Sequence, residues 1–525
     1  MAERWGRRVE RSTVAGYSCL VYAERPRSMA ELLIDARRWS GRTYLVEGER
    51  QLGFDAHEAA VTRVAHLLAV AGIGPGKRVL ILAFNRLEWV VSFWALQWLG
   101  ATAVLGNAWW SDSELQAAIK LAAPAAILTD WSGLQVSPDV QTISFDAVRI
   151  AIEQPQMAPP PDAAQVAEDG PALIMFSSGT TGAAKGVVMS HRSVIANIQN
   201  LLSLAGRLPS ELDPQVPGTV SLLTVPLFHL AGIQISLSTL LSGGRLVFQP
   251  GRFEPEAVLR LIAAEKVRVW GAVPTMVSRV LDCLALRRYD VSSLRSIPMG
   301  GAAVSPELRA RIAASFPGIR KRVGSLYGLT EAGGVLAAAS GTELEGRPQC
   351  VGRPLPVVEL RIDKPDLQGA GEILARTPTA SQGYWGESAP LVDAEGWLRT
   401  GDIGWLDEEG RLYVVGRSKD IIIRGGENIA SQHVERCLLE NPDVLECAVV
   451  PLPHTDLGEE VGAAIVVRPG AHLNVDMLRQ HASGKLARFE VPSRWWLRRT
   501  PLPTNAAGKT LKRELVAGWT DVLDC

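Results

Sequence analysis

Phe176-Ser-Ser-Gly-Thr-Thr-Gly-Ala-Ala-Lys-Gly-Val187 closes one apolar run, Pro171–Phe176 (PALIMF), and opens another, Val187–Met189. Between the two runs stand two serines, two threonines, three glycines and one lysine. Glycines let backbone N–H groups converge on an anion, hydroxyls add donors and Lys185 adds a charge, which is what a polyphosphate needs. Gly-x4-Gly-Lys-Ser/Thr cannot be aligned on the stretch, so it is not a Walker A loop. On composition alone a solvated Gly/Ser/Thr turn is the simpler reading, and the rest of the chain has to decide.

Working outward, short apolar runs alternate with helix-length amphipathic stretches. Val79–Phe84 precedes a helix expected over Glu88–Leu99, Ala101–Leu105 reads as a buried strand, Ala125–Thr129 follows a helix expected over Glu114–Ala122, and Val267–Ala272 repeats the theme. This pattern predicts α/β layers with largely parallel sheets. Gln154–Gln165 (QPQMAPPPDAAQ) reads as a surface linker between subdomains. After about residue 340 shorter strands broken by turns are expected, and the texture from Gly416-Arg417-Ser418-Lys419-Asp420 onward predicts a small α+β unit with its boundary at Lys419. Gly72-Ile-Gly-Pro-Gly76 precedes a strand and lacks the GxGxxG spacing, so it reads as a turn. The tryptophan pairs Trp109-Trp110 and Trp495-Trp496 read as packing.

At 525 residues, 47% hydrophobic and 21% charged, the chain can bury a large core, which excludes disorder. Lys+Arg 54 against Asp+Glu 55 leaves a net charge of -1, so no field favours nucleic acid. Six scattered cysteines without CxxC or CxxH exclude a disulfide scaffold and a zinc site, and point to a reducing compartment. The charged N-terminus lacks an apolar signal core. Trp89–Ser111 and Pro214–Gly244 carry no charge, but Gly100, Gly106, Pro217, Pro226 and Gly232 break them, so no membrane span and a cytoplasmic protein are expected.

The 176–187 stretch resembles the phosphate loop of the adenylate-forming superfamily, which includes acyl-CoA synthetases, luciferases and peptide-synthetase adenylation domains. Six further segments resemble its motifs in order. These are Pro226-Leu-Phe-His-Leu-Ala-Gly232 at the acid pocket, Gly300-Gly301-Ala302 at the adenine site, Tyr327-Gly-Leu-Thr-Glu331, the ribose-binding Thr400-Gly-Asp402, the hinge Gly416-Arg-Ser-Lys-Asp-Ile421 with Gly425-Gly426-Glu427-Asn428, and the lysine loop Pro503–Lys509. The resemblance spans residues from about 30 to 515. It implies a large N-terminal α/β unit of several subdomains with layered sheets (1–418, holding the acid and ATP sites) and a small mobile C-terminal α+β domain (419–525) hinged at Lys419.

By the same resemblance, Ser177, Ser178, Gly179, Thr180, Thr181, Gly182 and Lys185 hold the phosphates, with Thr330 bonding phosphate and Glu331 binding Mg2+. Gly301, Ala302, Tyr327 and Gly328 meet the adenine, and Asp402 and Arg417 the ribose or phosphate. Lys419, Gly425 and Gly426 form the hinge. Lys509 bridges the substrate carboxylate and the α-phosphate. His229, Leu230, Ile233, Gln234, Val273, Met299, Gly300 and Val335 line the acid pocket, and their apolar character implies a medium- to long-chain, aromatic or alicyclic acid. The implied reaction is acid + ATP to acyl-adenylate and pyrophosphate, then transfer to coenzyme A with release of AMP. The cofactors are ATP, Mg2+ and coenzyme A, and a homodimer stays open. Pressing a carboxylate onto a phosphate sets anion against anion, so preorganised positive charge must do most of the catalysis. Lysine is scarce, ten of the 54 basic residues, and three of the ten are Lys185, Lys419 and Lys509.

Two departures stand out. Ala183-Ala184 replaces the usual proline before the loop lysine, and Ala430-Ser-Gln-His433 replaces an aromatic–proline–acid run near the thiol path. The second leaves open a module that loads a separate carrier protein, although the chain ends at Cys525 with no carrier domain after Lys509. A non-catalytic nucleotide-binding relative would be expected to lack Glu331 or Lys509, and a luciferase-like oxygenase shares the motifs.

Overall fold

The computed structural model describes residues 4–131, 133–134, 136–155, 161–177, 185–301, 304–319, 323–347, 349–425, 427–504 and 510–519. Among them, the apolar runs of the first half assemble into two layers. One sheet runs in the order Gly383–Tyr384, Lys185–Ser190, Pro171–Ser177, Thr102–Gly106, Arg78–Leu82, Ala126–Thr129 and Gln141–Ile143. Its last five strands are parallel, and the first two are antiparallel additions. The second sheet orders Val269–Gly271, Val220–Leu223, Arg245–Phe248, Thr43–Glu47 and Arg50–Gly53, parallel except for the last.

The helix Leu87–Trp98 touches strands of both sheets, and all twelve of its residues are buried. Its apolar run therefore has no polar face, as a helix enclosed on every side requires. The enclosed carboxylate of Glu88 is 0% exposed and is neutralised by Arg50 Nη2 at 2.5 Å and Arg86 Nε at 3.1 Å. Most of both uncharged stretches is thus core, with Trp109 and residues 214–217 left exposed, and no helix among the described residues is long and apolar enough to cross a membrane.

A third sheet, Ile297–Gly300, Val323–Leu329, Gly334–Ser340, Cys350–Pro354, Leu412–Arg417, Leu398–Leu406, Gly371–Arg376 and Glu359–Asp363, is antiparallel apart from its first pair. From Ile421 on, a fourth sheet (Glu427–Ala430, Ile421–Arg424, Gly458–Val467, Val444–His454, with Arg494–Arg498 alongside) packs around apolar cores drawn only from residues 422–519. Strands late in the chain are not shorter, as the sequence suggested: Val444–His454 has eleven residues and Gly458–Val467 ten, paired along nearly their whole length. The antiparallel hairpin carries this length, because alternate residues along it exchange backbone hydrogen bonds with the strand that folds back on them. Helix Asp112–Ala122 begins two residues before the expected Glu114, since Ser111 and Glu114 cap its first turn reciprocally.

His57 and His191 are buried, and burial pushes their pKa values down to about 3 and about 4 from 6.5. The unfolded chain takes up these protons near pH 6.5 and the folded chain only well below. The contribution is therefore full above about pH 6.5 and is lost as pH falls toward the folded values, with a slope of at most about 1.4 kcal/mol per pH unit for each histidine. His57→Leu is expected to flatten the fall in thermal midpoint between pH 7 and pH 5. An unchanged fall by scanning calorimetry would show that His57 is not one of the groups responsible.

Candidate active site

The two ends of the 176–187 loop are held by strand pairing, with Ser177 opposite Lys185. Ser178, Gly179, Thr180, Thr181 and Gly182 lie outside the described residues, as do Ala302, Gly426 and Lys509. On its other side the strand Lys185–Ser190 receives Gly383–Tyr384, with Val187 opposite Tyr384 and the Trp385 N–H donating to the Gly186 carbonyl at 2.7 Å. Tyr384-Trp-Gly-Glu387 then turns back: the Glu387 N–H donates to the Tyr384 carbonyl at 3.0 Å, and Gly386 has φ +82°. A type II turn needs that left-handed conformation at its third residue, and glycine adopts it without strain. The turn delivers Glu387 to Lys185, with Nζ 2.9 Å from Oε1, while the Tyr384 ring lies 4.3 Å from the same ammonium.

Tyr384 also donates its hydroxyl to Glu331 Oε1 at 3.2 Å. Burial, and then the Glu331 carboxylate, pushes its pKa up to about 12. Glu331 sits in the short turn Thr330–Ala332 that joins strands Val323–Leu329 and Gly334–Ser340. The turn is clamped from behind: the Ser381 N–H donates to the Glu331 carbonyl at 2.9 Å, and the Thr379 hydroxyl to the Ala332 carbonyl at 2.6 Å. Gly333 has φ +72°, and a Cβ there would sit 1.6 Å from the Thr379 carbonyl oxygen, so no other residue fits.

Strand pairing places Asp402 opposite Arg417. The Asp402 carboxylate is buried, with Arg417 Nε 3.0 Å from Oδ1 and the Tyr327 hydroxyl donating to Oδ2 at 2.7 Å. Burial and the neighbouring carboxylate hold the Tyr327 hydroxyl well above its usual pKa, so it stays a donor. An ionised carboxylate only accepts, so every group it bonds must be a donor. Lys419 lies exposed in the turn Ser418–Asp420, and Gly425, with φ +58°, ends the next strand.

His229 stands at the N-cap position of the helix Leu230–Leu241, with no capping hydrogen bond from its side chain. Its Nε2 is buried without a hydrogen-bond partner among the described residues, and burial lowers its pKa to about 4, so the ring is neutral at pH 7. Gly232 permits the tight approach of this segment, because a Cβ there would lie 2.2 Å from the Pro226 carbonyl oxygen. Asn85, which no motif names, pins the segment twice: its Oδ1 accepts from the Leu227 N–H at 2.7 Å and its Nδ2 donates to the Val225 carbonyl at 2.9 Å. An aromatic series leads to the histidine, edge-to-face at Phe84–Trp109 (5.1 Å) and Trp109–Phe228 (5.5 Å) and tilted at Phe228–His229 (4.8 Å). Trp109 packs as expected, yet stays 36% exposed.

Of the remaining residues expected at the pocket, Ile233, Met299 and Val335 are buried in the apolar cores, Leu230, Gln234, Val273 and Gly300 keep partial exposure, and Gly301 is exposed. The Gln234 amide donates to Asn197 Oδ1 at 2.6 Å. Gly301 has φ +79°, and Val273 comes within 3.8 Å of where its Cβ would stand.

A magnesium ion suits this donor set. No group of three or more His, Cys, Asp or Glu side chains able to hold a metal occurs among the described residues. Mg2+ is commonly held by one or two carboxylates together with substrate phosphates and water, and Glu331 is a carboxylate that shares the Tyr384 side chain with Lys185.

The profile described as AMP-binding enzyme matches residues 33–385, and that of the AMP-binding enzyme C-terminal domain matches residues 433–509. Among curated proteins the chain is 31% identical over 483 residues to the 2-succinylbenzoate–CoA ligase of Bacillus cereus, covering 90% of this chain and 94% of the relative. It is 30% identical over 523 residues to 4-coumarate–CoA ligase 2 of Oryza sativa, covering 91% and 88%. Among solved structures it resembles the O-succinylbenzoate coenzyme A synthetase of Bacillus subtilis in complex with ATP and magnesium ion, with TM-score 0.78, 27% identity and coverage of 92% and 98%. It also resembles an amide bond synthetase from Marinactinospora thermotolerans, with TM-score 0.77, 29% identity and coverage of 93% and 99%.

Asp402→Asn keeps the shape and removes the charge that Arg417 and Tyr327 face. Hydrogen bonds to a charged group contribute about 1.5–3 kcal/mol, so ATP affinity should fall by about tenfold to a hundredfold. Acid affinity should stay within about twofold. Titration calorimetry with each ligand separately checks this, and a collapse of acid affinity with ATP affinity intact would refute it.

Proposed function

Since this chain belongs to the AMP-binding enzyme family, it is an AMP-forming acid–thiol ligase that uses ATP and coenzyme A, and we propose that its acid is hydrophobic, with an aromatic or extended apolar body. The observation that carries this reading is His229. A neutral imidazole with a buried, unpartnered Nε2 stands at a helix N-terminus, at the end of the Phe84–Trp109–Phe228 series. The helix end favours a carboxylate, an imidazole protonated on Nε2 donates to it, and aromatic edges receive an apolar body. The 4-coumarate ligase among the relatives is named for an acid with an aromatic body; the 2-succinylbenzoate ligase is named for one that has an aromatic ring but a second carboxylate.

In this reading Asp402 and Arg417 bind the ribose, Tyr327 fixes Asp402 and meets the adenine, Lys185 and Thr330 draw the phosphates, and Glu331 binds Mg2+. The ion, when bound, spreads the negative charge of the phosphates. A carboxylate oxygen attacks the α-phosphorus as the bond to pyrophosphate breaks, and Lys509 holds attacker and target together. In the second step the thiol sulfur of coenzyme A bonds to the acyl carbon, and AMP leaves. Both steps take place at one carboxyl group, the first at its oxygen and the second at its carbon, so we place a pivot at Lys419. There the chain leaves the third sheet at Arg417 and enters a unit whose cores contain no residue before 422. A reducing, cytoplasmic setting is supported by the free thiols of Cys19, Cys283, Cys350, Cys437 and Cys447.

A panel of acids assayed by pyrophosphate release tests the substrate class. Each methylene buried contributes about 0.8 kcal/mol, so kcat/KM should rise about fourfold per added methylene across a short series, and arylpropenoic acids should exceed acetate by far more. A preference for short or charged acids would overturn the proposal. If a carrier protein or an amine, and not coenzyme A, accepts the acyl group, the acceptor assignment fails instead.

Lys509→Ala should slow acyl-adenylate formation by about 10²–10³, the usual cost of losing one preorganised charge. Thioester formation from supplied acyl-adenylate should remain nearly intact. Lys419→Pro, which fixes φ, should do the reverse. Equal losses in both half-reactions of either variant would count against the pivot.

A further inference from the structure

We propose that Tyr384 is the positioning residue that holds the cation-binding and phosphate-binding sides of the nucleotide site in register, and that Glu387 occupies Lys185 in place of a phosphate until nucleotide arrives. This rests on the roles of Glu331 and Lys185 proposed above.

Three contacts converge on one four-residue turn. The Tyr384 hydroxyl reaches Glu331, its ring lies under the Lys185 ammonium, and Glu387, brought back by the Gly386 turn, pairs with that ammonium. The strand that presents Tyr384 is only two residues long, so the edge of the sheet gains little length from it. What the strand does achieve is placement. Tyr384 lies opposite Val187, and Lys185 is two residues from Val187 on the same face, the diagonal neighbour that a long side chain reaches. The far side of the site is equally determined, because the residues just before this strand, Thr379 and Ser381, clamp the Glu331 turn. One segment, 379–387, therefore fixes the distance between a carboxylate and an ammonium that come from strands otherwise in different sheets.

The Lys185–Glu387 pair is partly exposed, at 33% and 45% of the side chains. A screened pair of that kind changes a binding constant by at most about fivefold. It is thus strong enough to keep the ammonium over the ring and weak enough for a polyphosphate to displace. Lysine suits this handover, since its charge sits on a flexible stem and its three donors turn freely.

The test is titration calorimetry of ATP binding across magnesium concentrations, with no acid or coenzyme A present. Tyr384→Phe keeps the ring, the strand pairing and the cation contact, and loses only the hydroxyl. It should raise the magnesium concentration needed for half-maximal ATP affinity by about threefold to tenfold, while ATP affinity in EDTA stays unchanged. Glu387→Gln should tighten ATP binding by about twofold to fivefold at low salt, and the gain should fade as salt screens the pair. Glu331→Gln is the control. If it leaves the magnesium dependence intact, the reading of the site itself fails. If it shifts that dependence and Tyr384→Phe does not, the role of Tyr384 is overturned. ATP affinity unchanged or weakened in Glu387→Gln at low salt overturns the holding role of Glu387.

Discussion

A site that receives polyphosphate has to hold cations before any anion arrives, and in the proposed site each cation rests on a carboxylate. Arg417 lies opposite Asp402 across a strand ladder, and Lys185 meets Glu387 at the turn that follows Gly383–Tyr384. The choice of cation follows the task. A guanidinium is a fixed fork that suits a partner it keeps, whereas an ammonium is a compact charge that can change partners. In a chain whose basic residues are mostly arginine, the few lysines at motif positions fit that distinction.

The proposed acid side obeys a different logic, because an apolar pocket cannot neutralise a charge it has not yet received. Here the polar group is neutral in advance. Burial keeps the His229 imidazole unprotonated, and the helix end beside it adds only a partial positive charge. Rigidity comes from the loop that follows strand Arg78–Leu82. Its Asn85 ties down the backbone before the histidine, while Arg86 and Arg50 neutralise the enclosed Glu88 one turn away. One short connection thus serves both the core and the pocket.

What was legible in the sequence was chemistry concentrated in short stretches. Ser177 and Lys185, Thr330 and Glu331, and Asp402 and Arg417 each drew attention because glycines, hydroxyls and charges cluster around them, but the pairing of Asp402 with Arg417 appears only once their strands lie side by side. Tyr384, Glu387 and Asn85 could not, since each acquires its role from a partner far along the chain. Tyr384 meets Lys185 and Glu331 only through pairing with a strand nearly two hundred residues earlier, and a Trp-Gly turn looks like any other turn when taken alone. The Ser111/Glu114 box carried a readable signal, a serine followed three residues later by glutamate before an apolar run, and it sets the helix start that periodicity placed two residues late. The length of Val444–His454 was hidden for the opposite reason: its prolines and charges look like interruptions until the partner strand is seen to run alongside them.

The second sheet has an implication for how the molecule is made. Thr43–Glu47 lies between Arg50–Gly53 and Arg245–Phe248, with Val46 beside Val247. At a synthesis rate of roughly 5–20 residues per second, that early strand waits about 10–40 s on the ribosome before its inner neighbour is made. Throughout that interval the apolar faces of Thr43–Glu47 and of helix Leu87–Trp98 have nothing of their own chain to cover both sides. The nascent polypeptide is therefore most exposed to aggregation in its first half, well before the residues that handle nucleotide have all been translated, and it is at this stage that a chaperone has the most surface to hold.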